Sequence, residues 1–201
     1  MIEMKQIYIV LTHTGTLLSR IIKCYPKDEF SHCSISLDIE LKEMYSFGRL
    51  NPYNAFLGGF VHEYITKGTF KRFYKTKAKI YYLEVTDEQY EKIRNTVMRI
   101  QKNKKEYKFN ILGLFAAGFH KKIGEEHSFY CAEFVKYVIE NAGVDTGLPE
   151  VVKPEDFKYM KGLREIYSGL LSRYKFPQIN VAEIIKDNLF TYKQTYGESS
   201  H

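Results

Sequence analysis

The sequence contains no tryptophan, and only three of its 201 residues are cysteine. Cys24, Cys33 and Cys131 show no CxxC spacing, which argues against a disulfide framework and for a reducing compartment. The cytoplasm is therefore the expected location. No apolar stretch reaches transmembrane length; the longest, from Phe109 to Phe119, is interrupted by Gly113 and Gly118. The first residues, Met1 to Gln6, carry no apolar run of signal-peptide type and lead straight into a strand pattern. Helix-turn-helix, zinc-finger and RNA-binding signatures are missing, so nucleic acid is not an expected partner. Neither repeats nor low-complexity segments occur. The histidines and cysteines show no ligand spacing. A zinc site from His32, Cys33 and Cys131 has only residue type in its favour, and no metal or cofactor is expected.

What remains is an ordinary folded chain, 44% hydrophobic and 27% charged, long enough for one domain with a proper core. Its aromatics are 17 Tyr and 14 Phe, which suits either a core with polar edges or an aromatic-lined groove. The net charge is +6. The excess gathers in Lys71–Lys77 and in Lys102–Lys108. Solvated faces are the plain reading of both clusters. Weak contact with an anionic membrane surface, helped by the interleaved Phe70, Phe73 and Tyr74, is the alternative.

Periodicity and caps outline the elements. Gln6 to Thr12 reads as a buried strand, and Leu17 to Cys24 as a short helix stopped by Pro26. A second strand follows from His32, then a turn over Asp38 to Lys42 and a hairpin partner from Glu43 to Gly48. Asn51 to Gly59, with Pro52 and Gly58-Gly59, reads as loop. Thr69 to Tyr74 and Ala78 to Val85 read as strands. Asp87 to Lys102 is an amphipathic helix with Tyr90, Ile93, Val97 and Ile100 on one face. Phe109 to Phe119 reads as an apolar helix. Beyond Pro149 the texture changes; Pro154 starts a helix, and helical stretches are expected to about Arg173.

Two residues carry chemistry. Cys131 lies at a helix start, with Ser128 as the expected N-cap, and shares a stripe with Phe134, Val135, Val138 and Ile139. The cysteine therefore faces inward where the helix dipole favours an anion, the setting of a thiolate nucleophile. A buried structural cysteine is the plain alternative. His32 opens the second strand and is the best candidate for the partnering base, against a strand-end histidine satisfied by backbone. By strand alternation Cys33 faces away from His32, toward the core.

The order is histidine strand, hairpin, further strands and helix, then a cysteine at a helix start. It resembles the circularly permuted branch of the NlpC-type papain-like superfamily, with the YiiX/YebB-like proteins and lecithin:retinol acyltransferase among its members. His32-Cys33-Ser34-Ile35-Ser36-Leu37 is similar to that branch's histidine strand, and Tyr130-Cys131-Ala132-Glu133-Phe134-Val135 to its cysteine helix. The similarity covers residues 6 to about 143. It implies an α+β permuted papain-like fold, with an antiparallel sheet packed against helices. Residues 1–148 would form the catalytic core, and 149–201 a C-terminal helical appendage packed on it. It also implies a cysteine hydrolase or acyltransferase acting on an amide or ester bond of a peptide or lipid.

The branch carries a third polar residue that orients the imidazole. Laying Glu43 to Phe47 against the histidine strand puts Ser46 at that place. A serine offers one hydrogen bond but does not stabilise imidazolium as a carboxylate would. Three outcomes follow from it: a weak enzyme, orientation by Glu43, Tyr45 or a backbone carbonyl, or a binding module that keeps the cleft without turnover.

Overall fold

The computed structural model describes residues 4–15, 28–110 and 127–176. The helix expected over Leu17–Cys24 lies outside these residues, as does the helix expected from Phe109 beyond Asn110.

The centre is one antiparallel sheet. Its strands are β1 (Met4–His13), β2 (His32–Ser36), β3 (Met44–Asn51), β4 (Asn54–Glu63), β5 (Lys77–Thr86) and β8 (Arg164–Leu170), in the order β4-β3-β2-β1-β5-β8. β1 is buried continuously from Ile7 to Thr12 because both faces of the sheet are covered there. Residues alternate between two cores. Ile7, Ile9, Leu11, Cys33, Ile35 and Phe47 face the helices α2 (Asp87–Lys102) and α3 (Cys131–Asn141). Tyr8, Val10, Met44 and Ile80 face the smaller core, closed by Phe70 and Leu171.

Local chemistry explains the elements that the sequence announces. Asp38 accepts from the backbone N–H groups of Lys42 and Glu43, which closes the β2–β3 turn. Thr86 and Gln89 form a reciprocal capping box that starts α2. Ile93, Val97 and Ile100 of that helix are fully buried, as its stripe requires.

Four expectations are corrected. Thr69–Tyr74 is not a strand: Gly68–Arg72 forms a one-turn helix, α1, which seats Phe70 in the smaller core. Asn51–Gly59 is not a loop, since β4 runs through it and pairs with β3 around a bulge near Arg49 and Asn51. The glycines there serve packing: a Cβ on Gly58 would lie 2.3 Å from the ring of Phe109. Lys108–Phe109 is a short strand, β6, that pairs in parallel with β7 (Ser128–Phe129). Finally, Pro154 does begin a helix, but a 3₁₀ turn ending at Tyr159. The helical stretches expected beyond it are instead β8, hydrogen-bonded to the open edge of β5. Through residue 176 the C-terminal part thus completes the central sheet rather than forming a helical appendage. Among the described residues no helix is long and apolar enough to cross a membrane.

Candidate active site

α3 begins at Cys131 itself, and its N-cap is Tyr130 rather than Ser128. Ser128 is drawn into β7 by its pairing with Lys108, so it does not cap. The Tyr130 N–H donates to the Glu133 carboxylate at 3.4 Å, and the Tyr130 hydroxyl donates to the carbonyl of Val152 at 2.9 Å. These contacts fix the entry into the helix. Phe134 packs on Phe47 and Phe60, with ring centroids 5.3 and 5.7 Å away. The helix is therefore pinned to the sheet one turn after the cysteine. Cys131 is 3% exposed, in the first helical turn, where backbone N–H groups have no partner within the helix.

His32 is the first residue of β2, opposite Thr12 of β1. The Cys131 thiol lies near enough to the imidazole to raise its proton affinity. The Nε2 atom meets Glu63, at 3.0 Å from Oε1 and 3.3 Å from Oε2. Ser34, two residues on and on the same face, donates its hydroxyl to Glu63 Oε2 at 2.5 Å. The His32 and Glu63 side chains are 19% and 10% exposed. Burial alone would lower the proton affinity of the ring. The Glu63 charge, the interaction with Cys131 and the hydrogen bond that the ring donates to Glu63 outweigh it and raise the His32 pKa to about 10. At neutral pH the ring is imidazolium.

Glu63 closes β4, and β3 lies between that strand and β2. Ile35 pairs with Tyr45, so the same register sets His32 opposite Gly48 and Ser34 opposite Ser46. Gly48 lets the imidazole and the carboxylate meet over β3. A Cβ there would lie 3.3 Å from His32 Cε1 and 3.6 Å from Glu63 Oε1. Gly48→Ala is expected to shift the ring by a few tenths of an ångström. Alkylation of Cys131 by iodoacetamide should slow roughly tenfold, less than the ~10²-fold that a 1 Å misplacement costs in catalysis. An unchanged rate in a variant with a wild-type melting curve would show that the ring position is not critical.

Of the three residues singled out in the sequence, Cys131 and His32 come together and Ser46 does not join them. Ser46 is fully buried and donates to the Cys33 carbonyl at 2.7 Å. The hairpin is in a register two residues away from the one that would set Ser46 against the histidine. Tyr45 turns to the opposite face, against Phe60 and His62. The side chain that meets the ring is Glu63, which sequence reasoning missed. Its one signal is a carboxylate at the polar end of an alternating stretch, hidden once Asn51–Gly59 is taken for loop.

Cys33 does face away from His32, into the core under α3. Burial, then the charges of Cys131 and Glu63, push its thiol well above the usual range, so it is an inert cysteine. His13 meets the Ser31 hydroxyl at 3.2 Å. His62 lies between Tyr45 and Tyr64. His127 sits edge-on to Tyr107. Cys24 and His120 are outside the described residues. Among the described residues no group of three or more His, Cys, Asp or Glu side chains is placed to hold a metal ion.

A thiol at a helix start, an imidazolium against it and a buried carboxylate behind the ring make a set able to stabilise a thiolate and to return a proton. Compared with protein-family models, curated proteins and solved structures, the chain finds no match in any of the three.

Proposed function

We propose that this protein is a cysteine-dependent hydrolase or acyltransferase acting on an amide or ester bond. We read its α+β fold as that of the circularly permuted NlpC-type papain-like superfamily. The observation that carries both readings is the continuous contact from the Cys131 thiol through the His32 ring to the Glu63 carboxylate. The permuted order supports the family reading, since the histidine strand precedes the cysteine helix.

In this reading His32 carries a proton at neutral pH, and an imidazolium beside the Cys131 sulfur favours the thiolate. Nε2 faces Glu63, which leaves Nδ1 to serve the sulfur. The Cys131 thiolate attacks the substrate carbonyl and forms a C–S bond, and the carbonyl π electrons move to oxygen. N–H groups of the first turn of α3 stabilise that oxyanion. The tetrahedral adduct collapses, the bond to the leaving amine or alcohol breaks, and the imidazolium proton goes to that leaving group. The neutral imidazole then takes a proton from water, or from an acceptor alcohol or amine, as it attacks the thioester. Glu63 is a positioning residue: it holds the ring and balances its charge.

A neutral serine in the orienting place is the main support for a binding module without turnover. Glu63 on the ring removes that support.

The test is activity-based profiling with peptide, ester and lipid electrophiles, wild type against Cys131→Ala, joined to mass-spectrometric mapping of iodoacetamide labelling. Cys131 should label at least tenfold faster than Cys33 in the native protein. Equal labelling of the two, with no turnover across the panel, would defeat the proposal.

A further inference from the structure

The exposed apolar side chains of this protein are gathered in one region. Among the described residues, every exposed large hydrophobic side chain except Met4 and Tyr159 falls between residues 50 and 74. The same region is one-sided in charge. From Met44 to Leu83 the sole carboxylate is Glu63, which is already engaged by His32 and Ser34. We propose that the tip of the β3–β4 hairpin and the α1 turn form one face that docks on an anionic lipid bilayer. The inference does not depend on what Cys131 does.

Tertiary structure assembles this face. The aromatics interleaved with the lysines do not supply its apolar part: Phe70 is buried in the smaller core, and Phe73 lies under Arg72, 5.4 Å from ring centroid to guanidinium. The hairpin supplies it instead. Leu50 crosses the open face of Gly59, where a Cβ would come within 3.2 Å of it. Strand alternation sets Leu57 on the same face as Gly59. Leu50 also lines one cavity with Gly68, Thr69 and Phe70, so α1 stands beside it on that face. Both leucines are half exposed. Tyr53, in the hairpin turn, is 79% exposed, and its ring centroid lies 3.9 Å from the Arg72 guanidinium. That contact ties the hairpin tip to α1.

Cations stand around these side chains. Lys67, Lys71, Arg72 and Lys75 are exposed. Among the described residues none of the four makes an ion pair. A guanidinium stacked on a ring keeps its N–H edge for a phosphate oxygen. Tyrosine and leucine enter the boundary between headgroups and acyl chains, and an anionic leaflet attracts lysine and arginine. A bilayer of anionic lipid therefore answers both parts of the face at once. The other basic cluster, Lys102–Lys108, contains no exposed large hydrophobic side chain.

Co-sedimentation of the full chain with lipid vesicles tests this. Vesicles of mixed phosphatidylcholine and phosphatidylserine should carry the protein down at low salt. Pure phosphatidylcholine vesicles should not, and high salt should weaken the binding. Each lysine near an anionic surface is worth roughly fivefold in partitioning, so Lys71→Gln with Lys75→Gln should lower it at least tenfold. Leu50→Ser with Leu57→Ser should lower it about threefold or more. Lys104→Gln with Lys105→Gln removes the same charge from the other cluster and should leave it unchanged. All six side chains are exposed, so the variants should keep wild-type melting curves. No binding to the mixed vesicles, or an equal loss from the two lysine pairs, overturns the inference. Binding to polyglutamate through Lys71 and Lys75, with none to vesicles, also overturns it and assigns the face to an acidic protein.

Discussion

Cys131→Ala is expected to bring turnover down to the uncatalysed level, and His32→Asn to lower kcat by roughly 10²–10⁴-fold, the usual contribution of a positioned acid–base group. The two variants should differ in kind. Alanine at 131 removes the atom that forms the covalent bond, so no acyl-enzyme accumulates with any substrate. Asparagine at 32 leaves the sulfur in place but removes the charge that stabilises its thiolate and the proton the leaving group needs. Cys131 in His32→Asn should still alkylate with iodoacetamide, more slowly than in wild type. Double replacement should cost little more than Cys131→Ala alone, because the residues act as one unit. Additive losses would mean that the thiol and the ring work independently, contrary to the proposed mechanism.

Glu63→Gln should give the second large effect, with two readouts. The first is the pH–rate profile. In wild type the ring loses its proton near pH 10, so the basic limb of kcat should fall there. The Glu63 charge is the largest influence raising the ring's proton affinity, so Gln should bring that limb down by several pH units, toward the ordinary histidine value of about 6.5. The second readout is stability. The folded pKa of His32 lies above its unfolded value, so the pair contributes fully below about pH 6.5. That contribution is lost progressively as pH rises toward 10. Wild-type stability from chemical denaturation should therefore decline over this window, and Glu63→Gln should flatten the decline. Removing one partner of a buried ion pair costs about 3–5 kcal/mol, so the difference between the proteins should be largest at the acid end of the window. Ser46→Ala is the matched control. It removes a buried hydrogen bond to the Cys33 carbonyl and should cost about 1–3 kcal/mol, without moving the basic limb. A limb near pH 10 in Glu63→Gln, or a limb displaced in Ser46→Ala, would return the orienting role to another residue.

Some of this protein is written in short stretches of sequence. β1, β5 and α2 follow from runs and stripes that need no partner to be recognised, and the capping box of Thr86 and Gln89 marks where α2 begins. The same holds for Cys131 at a helix start and for His32 at a strand start, because caps, dipoles and strand alternation act over a few residues.

The rest depends on which segments lie side by side. Asn54–Glu63 becomes a strand because β3 offers it hydrogen bonds, and its glycines lie where Phe109 crosses. Arg164–Leu170 becomes a strand because β5 has an open edge, and Ser128 loses its capping role to a pairing with Lys108. Glu63 reaches His32 only because Gly48 stands between them in a register set by the whole hairpin, bulge included. A slip of one residue would have turned Glu63 to the other face of the sheet. Residue identity and local period thus marked the candidate nucleophile and the candidate base. The carboxylate behind them was decided by long-range strand register, which no local pattern encodes.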